Sequence, residues 1–163
     1  MNKLHLALSA CMAIGHFCLA QNIVIPDANF KSALVNDLVV SYNDHGPADT
    51  DADTNNDGEI SISEALAVKH LNIRSKGIKS IAGLEYFENL VSLDCSRNDF
   101  DEFILKDFIH LKDLSFLNHS LKRIVINGCP LLKELKLSNG YPYYEELDYI
   151  CLLYTSPSPR DRG

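Results

Sequence analysis

The clearest copy of a repeated apolar pattern in this chain is Leu90-Val-Ser-Leu93-Asp-Cys95-Ser-Arg-Asn98-Asp-Phe100-Asp-Glu-Phe103-Ile-Leu105. Counted from Leu90, its apolar residues fall at offsets 0, 3, 5, 10, 13 and 15, and Asn98 falls at offset 8. All six apolar offsets recur from Leu111, the first three recur from Leu132, and five recur from Val68. The starts are 22, 21 and 21 residues apart, and a fixed period of this length is typical of a solenoid.

Each repeat is predicted to form one coil of that solenoid. Offsets 3 and 5 place two side chains on one face of a short strand, and an Asn at offset 8 can serve several backbone groups where the strand turns away. Offsets 10, 13 and 15 return the chain to the same core through an irregular or 3-10 segment. We therefore expect an α/β fold in which parallel strands stack over residues 68–150, with coils starting near 68, 90, 111 and 132.

Both ends of the chain are predicted to lie outside the folded domain. Residues 1–20 have the charge, the apolar stretch and the small-x-small cleavage site of a secretory signal peptide. Leu8-Ser-Ala-Cys11 resembles a lipoprotein signal, which stays an alternative. Residues 151–161 resemble the in-frame translation of a transposase sequencing-library adaptor, so we interpret 151–163 as a non-native tail and the repeat array as truncated.

The composition favours an acidic extracellular protein. The net charge is −7, which argues against a nucleic-acid partner because that binding depends on Lys and Arg against phosphate. The apolar stretch of the signal contains His5, Ser9 and His16, and we expect no transmembrane segment in the mature chain. Cys95 occupies a core offset and is interpreted as a small buried hydrophobe; a disulfide with Cys129 stays an alternative.

Residues 21–67 are predicted to form a helical cap on the first coil. Pro26-Asp27 is a helix-start signal, and Phe30, Leu34 and Leu38 follow at helical spacing, so one helix face is apolar. The end coils of a solenoid need such a cover, because their outer faces would otherwise be open.

Within this cap, residues 53–64 match the EF-hand calcium loop, with Gly58 at the sharp turn. Calcium prefers six to eight oxygen ligands, and the loop spacing supplies them from one continuous segment. A broken segment rather than a helix precedes the loop, so we predict an unpaired calcium site with a structural role. The predicted ligands are Asp53, Asn55, Asp57, Glu59 through its backbone carbonyl, Ser61 and Glu64.

Residues 25–30, 57–65, 83–90 and 93–98 together resemble a secreted bacterial leucine-rich repeat protein of the internalin-like class. The resemblance implies a non-enzymatic module, secreted or on the bacterial cell surface, that binds a protein or glycan ligand. No G-x-S-x-G, H-E-x-x-H or glycine-rich phosphate loop occurs in the sequence, and we expect no enzyme activity. Two alternatives stay open: a structural spacer for a missing C-terminal domain, and the non-catalytic part of a larger secreted enzyme.

The predicted ligand-binding surface is the outer face of the stacked strands. Side chains at offsets 2, 4 and 6 alternate with the core offsets and should form three columns on this concave face. The twelve residues at these offsets are His70, Asn72, Arg74, Ser92, Asp94, Ser96, Asp113, Ser115, Leu117, Glu134, Lys136 and Ser138.

Overall fold

A computed structural model describes residues 21–42, 48–117, 122–137 and 149–153, the last range for its backbone only. The predicted signal peptide, Ser138 and residues 154–163 lie outside the described residues. Within the described part, no helix is long and apolar enough to cross a membrane.

The described chain is a mixed α/β structure in which parallel strands stack as a solenoid. Two helices and a first short strand precede the repeats, and the later coils contribute strands to two separate sheets. In chain order the elements are α1 (Ala28–Asn36), β1 (Val40–Ser41), α2 (Ile62–Ala67), β2 (His70–Asn72), a 3-10 turn (Leu84–Tyr86), β3 (Ser92–Asp94), β4 (Glu102–Lys106), β5 (Asp113–Phe116), β6 (Arg123–Asn127), β7 (Glu134–Leu137) and β8 (Tyr149–Leu153).

The first sheet has five strands in the order β1-β2-β3-β5-β7. From β2 onward the pairs are parallel, and Leu71, Leu93, Leu114 and Leu135 lie side by side in register. These partners are 22, 21 and 21 residues apart, so the predicted period and the predicted strands of each coil are confirmed. Three of these leucines are buried and Leu135 packs against the core from its edge.

The second sheet corrects part of the prediction. The return segment of the first coil contains the expected 3-10 turn, but the later return segments form a parallel sheet in the order β4-β6-β8. In β4, buried Phe103 and Leu105 alternate with exposed Glu102, Ile104 and Lys106. Side chains on one face of a strand recur every two residues. The spacing of offsets 13 and 15 therefore indicates a strand, as the spacing of offsets 3 and 5 does.

The core between the two sheets contains three aromatic rings in mutual contact, of which one pair is stacked. The ring centroids of Phe100 and Phe116 are 5.6 Å apart, and those of Phe103 and Phe116 are 4.4 Å apart. All three rings are buried. They come from two neighbouring coils, so the aromatic contacts join the coils in addition to the strand ladders.

Asn98 has the predicted role of serving several backbone groups at the turn. Its Oδ1 accepts hydrogen bonds from the N–H groups of Lys76 and Ile78, at 3.0 and 3.1 Å. Its Nδ2 donates to the carbonyl oxygens of Ile73 and Cys95, at 2.8 and 2.9 Å. The side chain is buried, so one amide holds the turns of two consecutive coils together.

The cap covers the first edge of the solenoid through a strand as well as a helix. Helix α1 begins at the predicted place, where Asp27 accepts hydrogen bonds from Asn29 N and Phe30 N. Strand β1 pairs antiparallel with β2, which removes that exposed sheet edge. The spacing predicts that Leu38 faces inward, but its side chain is 67% exposed because α1 ends at Asn36 and the backbone is extended at Asp37.

The last described strand crosses the predicted start of the tail. In β8, Cys151, Leu152 and Leu153 pair with β6 in the same register as Tyr149 and Ile150. The origin of residues 151–163 stays a prediction, because strand pairing uses backbone groups that every non-proline residue has.

Candidate functional site

The backbone of residues 53–64 reverses its direction near the centre of the segment. Gly58 has φ +79°, in the left-handed region that favours glycine, and Asn56 before it has φ +59°. The two left-handed residues reverse the chain and direct successive backbone N–H groups toward the start of the loop. Gly58 therefore occupies the predicted turn position.

The first half of the loop is wrapped around its own side-chain oxygens. The carboxylate of Asp53, which is 3% exposed, accepts hydrogen bonds from Asp57 N at 3.1 Å and Gly58 N at 2.8 Å. Asn55 Oδ1 also accepts from Asp57 N, at 2.8 Å, and Asn55 Nδ2 donates to Asp57 Oδ2 at 3.0 Å. The structure therefore brings Asp53, Asn55 and Asp57 together.

The second half of the loop is a capping box at the start of α2. Glu64 Oε2 accepts from Ser61 N and from Ser61 Oγ, both at 2.8 Å, and Ser61 Oγ accepts from Glu64 N at 3.3 Å. The other carboxylate oxygen, Oε1, accepts from Thr54 Oγ1 at 2.9 Å and Asn55 N at 3.3 Å. Glu64 thus joins the two halves of the loop.

These hydrogen bonds set the electrostatics of Glu64. Burial by itself raises the pKa of this carboxyl group, but the hydrogen bonds from Ser61, Thr54 and Asn55 favour the charged form more strongly. The pKa of Glu64 is therefore below its ordinary value. Glu59 differs from the other acids of the loop, because its side chain points to α1 and binds Lys31 Nζ at 2.6 Å.

The present side-chain arrangement does not group the loop carboxylates for a metal ion. Among the described residues, no three His, Cys, Asp or Glu side chains converge closely enough to hold one. The donor types fit calcium, since all the predicted ligands offer oxygen. Their oxygens, however, are directed to backbone N–H and hydroxyl groups of the loop itself.

Tyr42 is a neighbour of the loop that sequence reasoning missed. Burial, and then the charges of Asp51 and Glu64, raise the pKa of its phenol. Its hydroxyl oxygen is buried and has no hydrogen-bond partner in the described part of the chain. Tyr42 lies eleven positions before the loop starts, outside the motif, so no spacing rule could have associated it with Glu64.

The predicted concave columns lie on the five-stranded sheet, and strand pairing aligns two of the three. Residues at the same offset are direct partners in the register, so side chains from four coils follow one another across the sheet. The first column is His70, Ser92, Asp113 and Glu134, and the second is Asn72, Asp94, Ser115 and Lys136.

The third column does not form as predicted. The spacing predicts Ser96 on the surface, but it is fully buried, and its Oγ accepts a hydrogen bond from Leu117 N at 3.1 Å. The reason is that β3 ends at Asp94 and the alternation of faces ends with it. Arg74 and Leu117 are partly exposed beyond the strands, and Ser138 is not among the described residues.

Charges on this sheet face are paired across and along the strands. Arg74 Nη1 lies 3.8 Å from Asp94 Oδ2, which joins the first two coils. Lys136 Nζ lies 3.1 Å from Glu134 Oε1 on the same strand. The face is therefore polar and of mixed charge, with small side chains at Ser92 and Ser115.

The cysteines of the repeats are not joined. Cys95 and Cys129 are both free and buried, and burial raises the pKa of both thiols. Cys95 is completely buried in the core, which agrees with its interpretation as a small hydrophobe. The alternative of a disulfide between them is not realised.

Comparisons with known proteins add no family to these observations. No protein-family model, no curated protein and no solved structure matches this chain.

Proposed function

We propose that this chain is a non-enzymatic, secreted or cell-surface interaction module built of leucine-rich repeats. Its ligand, a protein or a glycan, binds the polar face of the five-stranded sheet. The observation that carries the proposal is the register of that sheet, which places same-offset polar side chains from four coils in continuous columns. Such columns form an extended surface of the kind that solenoid proteins use for binding.

The leucine-rich repeat assignment is supported by the period and by the turn. The period of 21 or 22 residues and the buried leucines at offset 3 fit this class of repeat. The four backbone hydrogen bonds of Asn98 at 3.1 Å or less fit the role of an Asn at the end of the strand.

One observation favours the alternative of a structural spacer. Interfaces depend on Trp, Tyr and Arg as anchors, and among the described concave residues only Arg74 belongs to this group. Asp94 already pairs with that arginine. A spacer for a further domain needs no anchor, and the non-catalytic part of a larger secreted enzyme needs none either.

The loop of residues 53–64 supports a second element of the proposal, a structural calcium site. Asp53, Asn55, Asp57, Ser61 and Glu64 would bind the ion with side-chain oxygens, and Glu59 would contribute its backbone carbonyl. Calcium would supply a positive charge that offsets the three side-chain carboxylates and fixes the loop against α2. Glu64 would have to exchange some of its present hydrogen bonds for the ion.

The binding face is tested with two matched ion-pair variants of the full chain. Arg74→Ala with Asp94→Ala removes a pair from the five-stranded sheet, and Lys122→Ala with Asp101→Ala removes the pair at 3.4 Å beside the second sheet. Binding is measured on a glycan array and by affinity capture of extracellular proteins, followed by titration of each captured ligand. Weakening of about tenfold by the first variant alone is expected. Equal weakening by both variants would place the ligand elsewhere.

A further inference from the structure

A groove lies beside the second sheet, at strand β4. It has a volume of about 350 Å³. On one side it is bounded by β4, and on the other by residues 79–85, which belong to the return segment of the first coil. Both charged and apolar side chains line the groove. Its lining includes Lys79, Ile81, Glu85, Glu102, Ile104 and Lys106.

The groove exists because the cap holds the first return segment away from β4. The two coils are still joined where Asp99 N donates to Ile78 O at 2.9 Å. From there, the N–H groups of Lys79 and Ser80 donate to Asp27 Oδ2, at 2.8 and 3.0 Å. Further along, a Cβ on Gly83 would lie 2.9 Å from Ile25 Cγ1, so this segment packs directly on the residues that precede α1.

Strand β4 consequently presents an unpaired edge to the groove. Within the described part of the chain, it is the first strand of the second sheet and pairs with β6 alone. Just outside the two ends of β4, Arg123 N donates to Asp101 O and Asp107 N donates to Asn127 O. These bonds show that the odd-numbered residues of β4 direct their backbone groups to β6. In a parallel ladder the alternate residues direct their backbone groups the other way. The N–H and C=O groups of Glu102, Ile104 and Lys106 therefore face the groove, and outside the β4–β6 ladder no backbone hydrogen bond joins them to a described residue.

The charged side chains around the groove have a net positive charge of one when Arg123 is included. Glu102 is paired with Arg123, with 3.5 Å between Oε2 and Nη1. Glu85 keeps its negative charge, and its Oε2 accepts a hydrogen bond from the neutral Gly83 N at 2.8 Å. With Arg123 counted, three cationic side chains face two carboxylates at the groove. Lys79 and Lys106 lie on opposite walls and have no ion-pair partner among the residues that the structure describes. An occupant with negative charge therefore complements this groove.

We propose that the groove binds an extended acidic peptide, which adds to the second sheet as a strand beside β4. Its backbone would pair with the free groups of Glu102, Ile104 and Lys106, as in other cases where a peptide extends a sheet. Apolar side chains would alternate inward onto Ile81, and acidic side chains would alternate outward toward the two lysines. The site is separate from the polar face, and the proposal does not depend on the function assigned to that face.

The probe is the synthetic pentapeptide acetyl-Glu-Val-Glu-Val-Glu-amide, titrated into the full chain at low salt. The same peptide with Lys in place of Glu tests the charge. Two further versions carry backbone N-methyl groups on the Glu residues only or on the Val residues only. In a bound strand only one of these sets of N–H groups faces β4, so one methylated version should lose binding and the other should keep it.

The chain offers a matched pair of variants at the edge. Ile104→Pro removes the N–H group that faces the groove, and proline is tolerated at such an edge position. Ile104→Ala keeps that N–H group and removes the side chain, which is 42% exposed. We expect Ile104→Pro to weaken peptide binding about tenfold or more, whereas Ile104→Ala changes it by about threefold or less. Lys79→Glu with Lys106→Glu should also weaken it, and Lys112→Glu, at an exposed position outside the groove, should not.

Hydrogen exchange locates the bound strand. The amides of Ile104 and Lys106 should exchange fast in the free chain and slowly with the peptide, while those of Phe103 and Leu105 are protected in both.

If Ile104→Pro unfolds, hydrogen exchange and the N-methyl series on the unaltered chain still test the proposal. Absence of binding at millimolar peptide, equal binding of the Lys peptide, or equal loss from both methylated versions would overturn the proposal. A dimer of the free chain that Ile104→Pro dissociates would also overturn it, because a second copy would then occupy the groove.

Discussion

The side chain of Asn98 forms four hydrogen bonds of 3.1 Å or less to backbone groups at the turn. Replacing it by Ala would remove the acceptor of the part-buried Lys76 N–H and the buried Ile78 N–H, and the side-chain donor to the carbonyls of Ile73 and Cys95. Each unsatisfied buried group costs about 1–3 kcal/mol. We expect Asn98→Ala to lower the free energy of unfolding by about 3 kcal/mol or more, measured by urea denaturation. Asn72→Ala is the control, because Asn72 is exposed and accepts one bond, from Arg74 N.

Glu64 should make the stability of the cap depend on pH. Its pKa is lower in the folded chain than in the unfolded chain, so its contribution is present above the unfolded value of about 4.3 and is lost as the pH falls through the folded value. We expect the stability difference between the unaltered chain and Glu64→Gln to shrink below pH ~4. Urea denaturation at several pH values measures this difference. In a Ser61→Ala background, which removes one of the hydrogen bonds responsible, the pH dependence should be weaker; an unchanged dependence would exclude Glu64 as its source.

The loop of residues 53–64 is closed by its own hydrogen bonds, and the proposed calcium ion would close it in a different way. In the described structure Glu64 caps α2 and binds Thr54, while calcium binding would redirect its carboxylate. Extracellular EF-hand modules bind calcium with dissociation constants on the order of 10⁻⁴–10⁻³ M, and we predict a value in this range for the proposed site. At millimolar calcium this corresponds to a stabilisation of about 0.4–1.4 kcal/mol.

Calorimetry on the full chain should therefore detect one calcium site, and thermal unfolding should shift upward with calcium. Asp53→Ala with Glu64→Ala should abolish both effects. Ser63→Ala is the control, because Ser63 lies beside the predicted ligands without being one of them. Absence of heat at millimolar calcium in the unaltered chain would mean that the loop is held only by its own hydrogen bonds.

Sequence spacing predicts which side chains are buried wherever the alternation of side chains continues through a regular strand. Leu93 and Cys95 have strand spacing and lie in the core, whereas Ser96 lies past the end of β3, where the alternation no longer applies. Strand β4 was missed although Phe103 and Leu105 have the same spacing. The apolar residues of α1 predicted a helix but not its end, and Leu38 is exposed for that reason. The hydrogen-bond partners of the side-chain oxygens in residues 53–64 could not be predicted, because they depend on interatomic distances that the spacing of residues in the sequence does not give.

At the scale of the whole molecule, the two edges of the five-stranded sheet differ. The first edge is covered by the cap, because β1 pairs with β2 and Thr50 bridges to Val40. In the described part of the chain, β7 is the last strand of that sheet. Its leucines are less buried than their counterparts, and the side chain of Leu137 is 38% exposed while that of Phe116 is 2% exposed.

This asymmetry predicts a gradient of protection along the solenoid. Repeat proteins are stabilised mainly by contacts between neighbouring coils, and amides open locally where few apolar contacts hold them. We expect the amides of 134–137 to exchange with solvent at least about tenfold faster than those of 92–94, because β3 has partners on both sides and β7 is described with one. Native-state hydrogen exchange of the monomer measures both segments in one experiment. Extending the comparison to 113–116 provides an internal control, since β5 should be protected like β3. Equal protection of all three strands would show that the coils open as one cooperative unit, so that the exposed leucines of β7 do not weaken it.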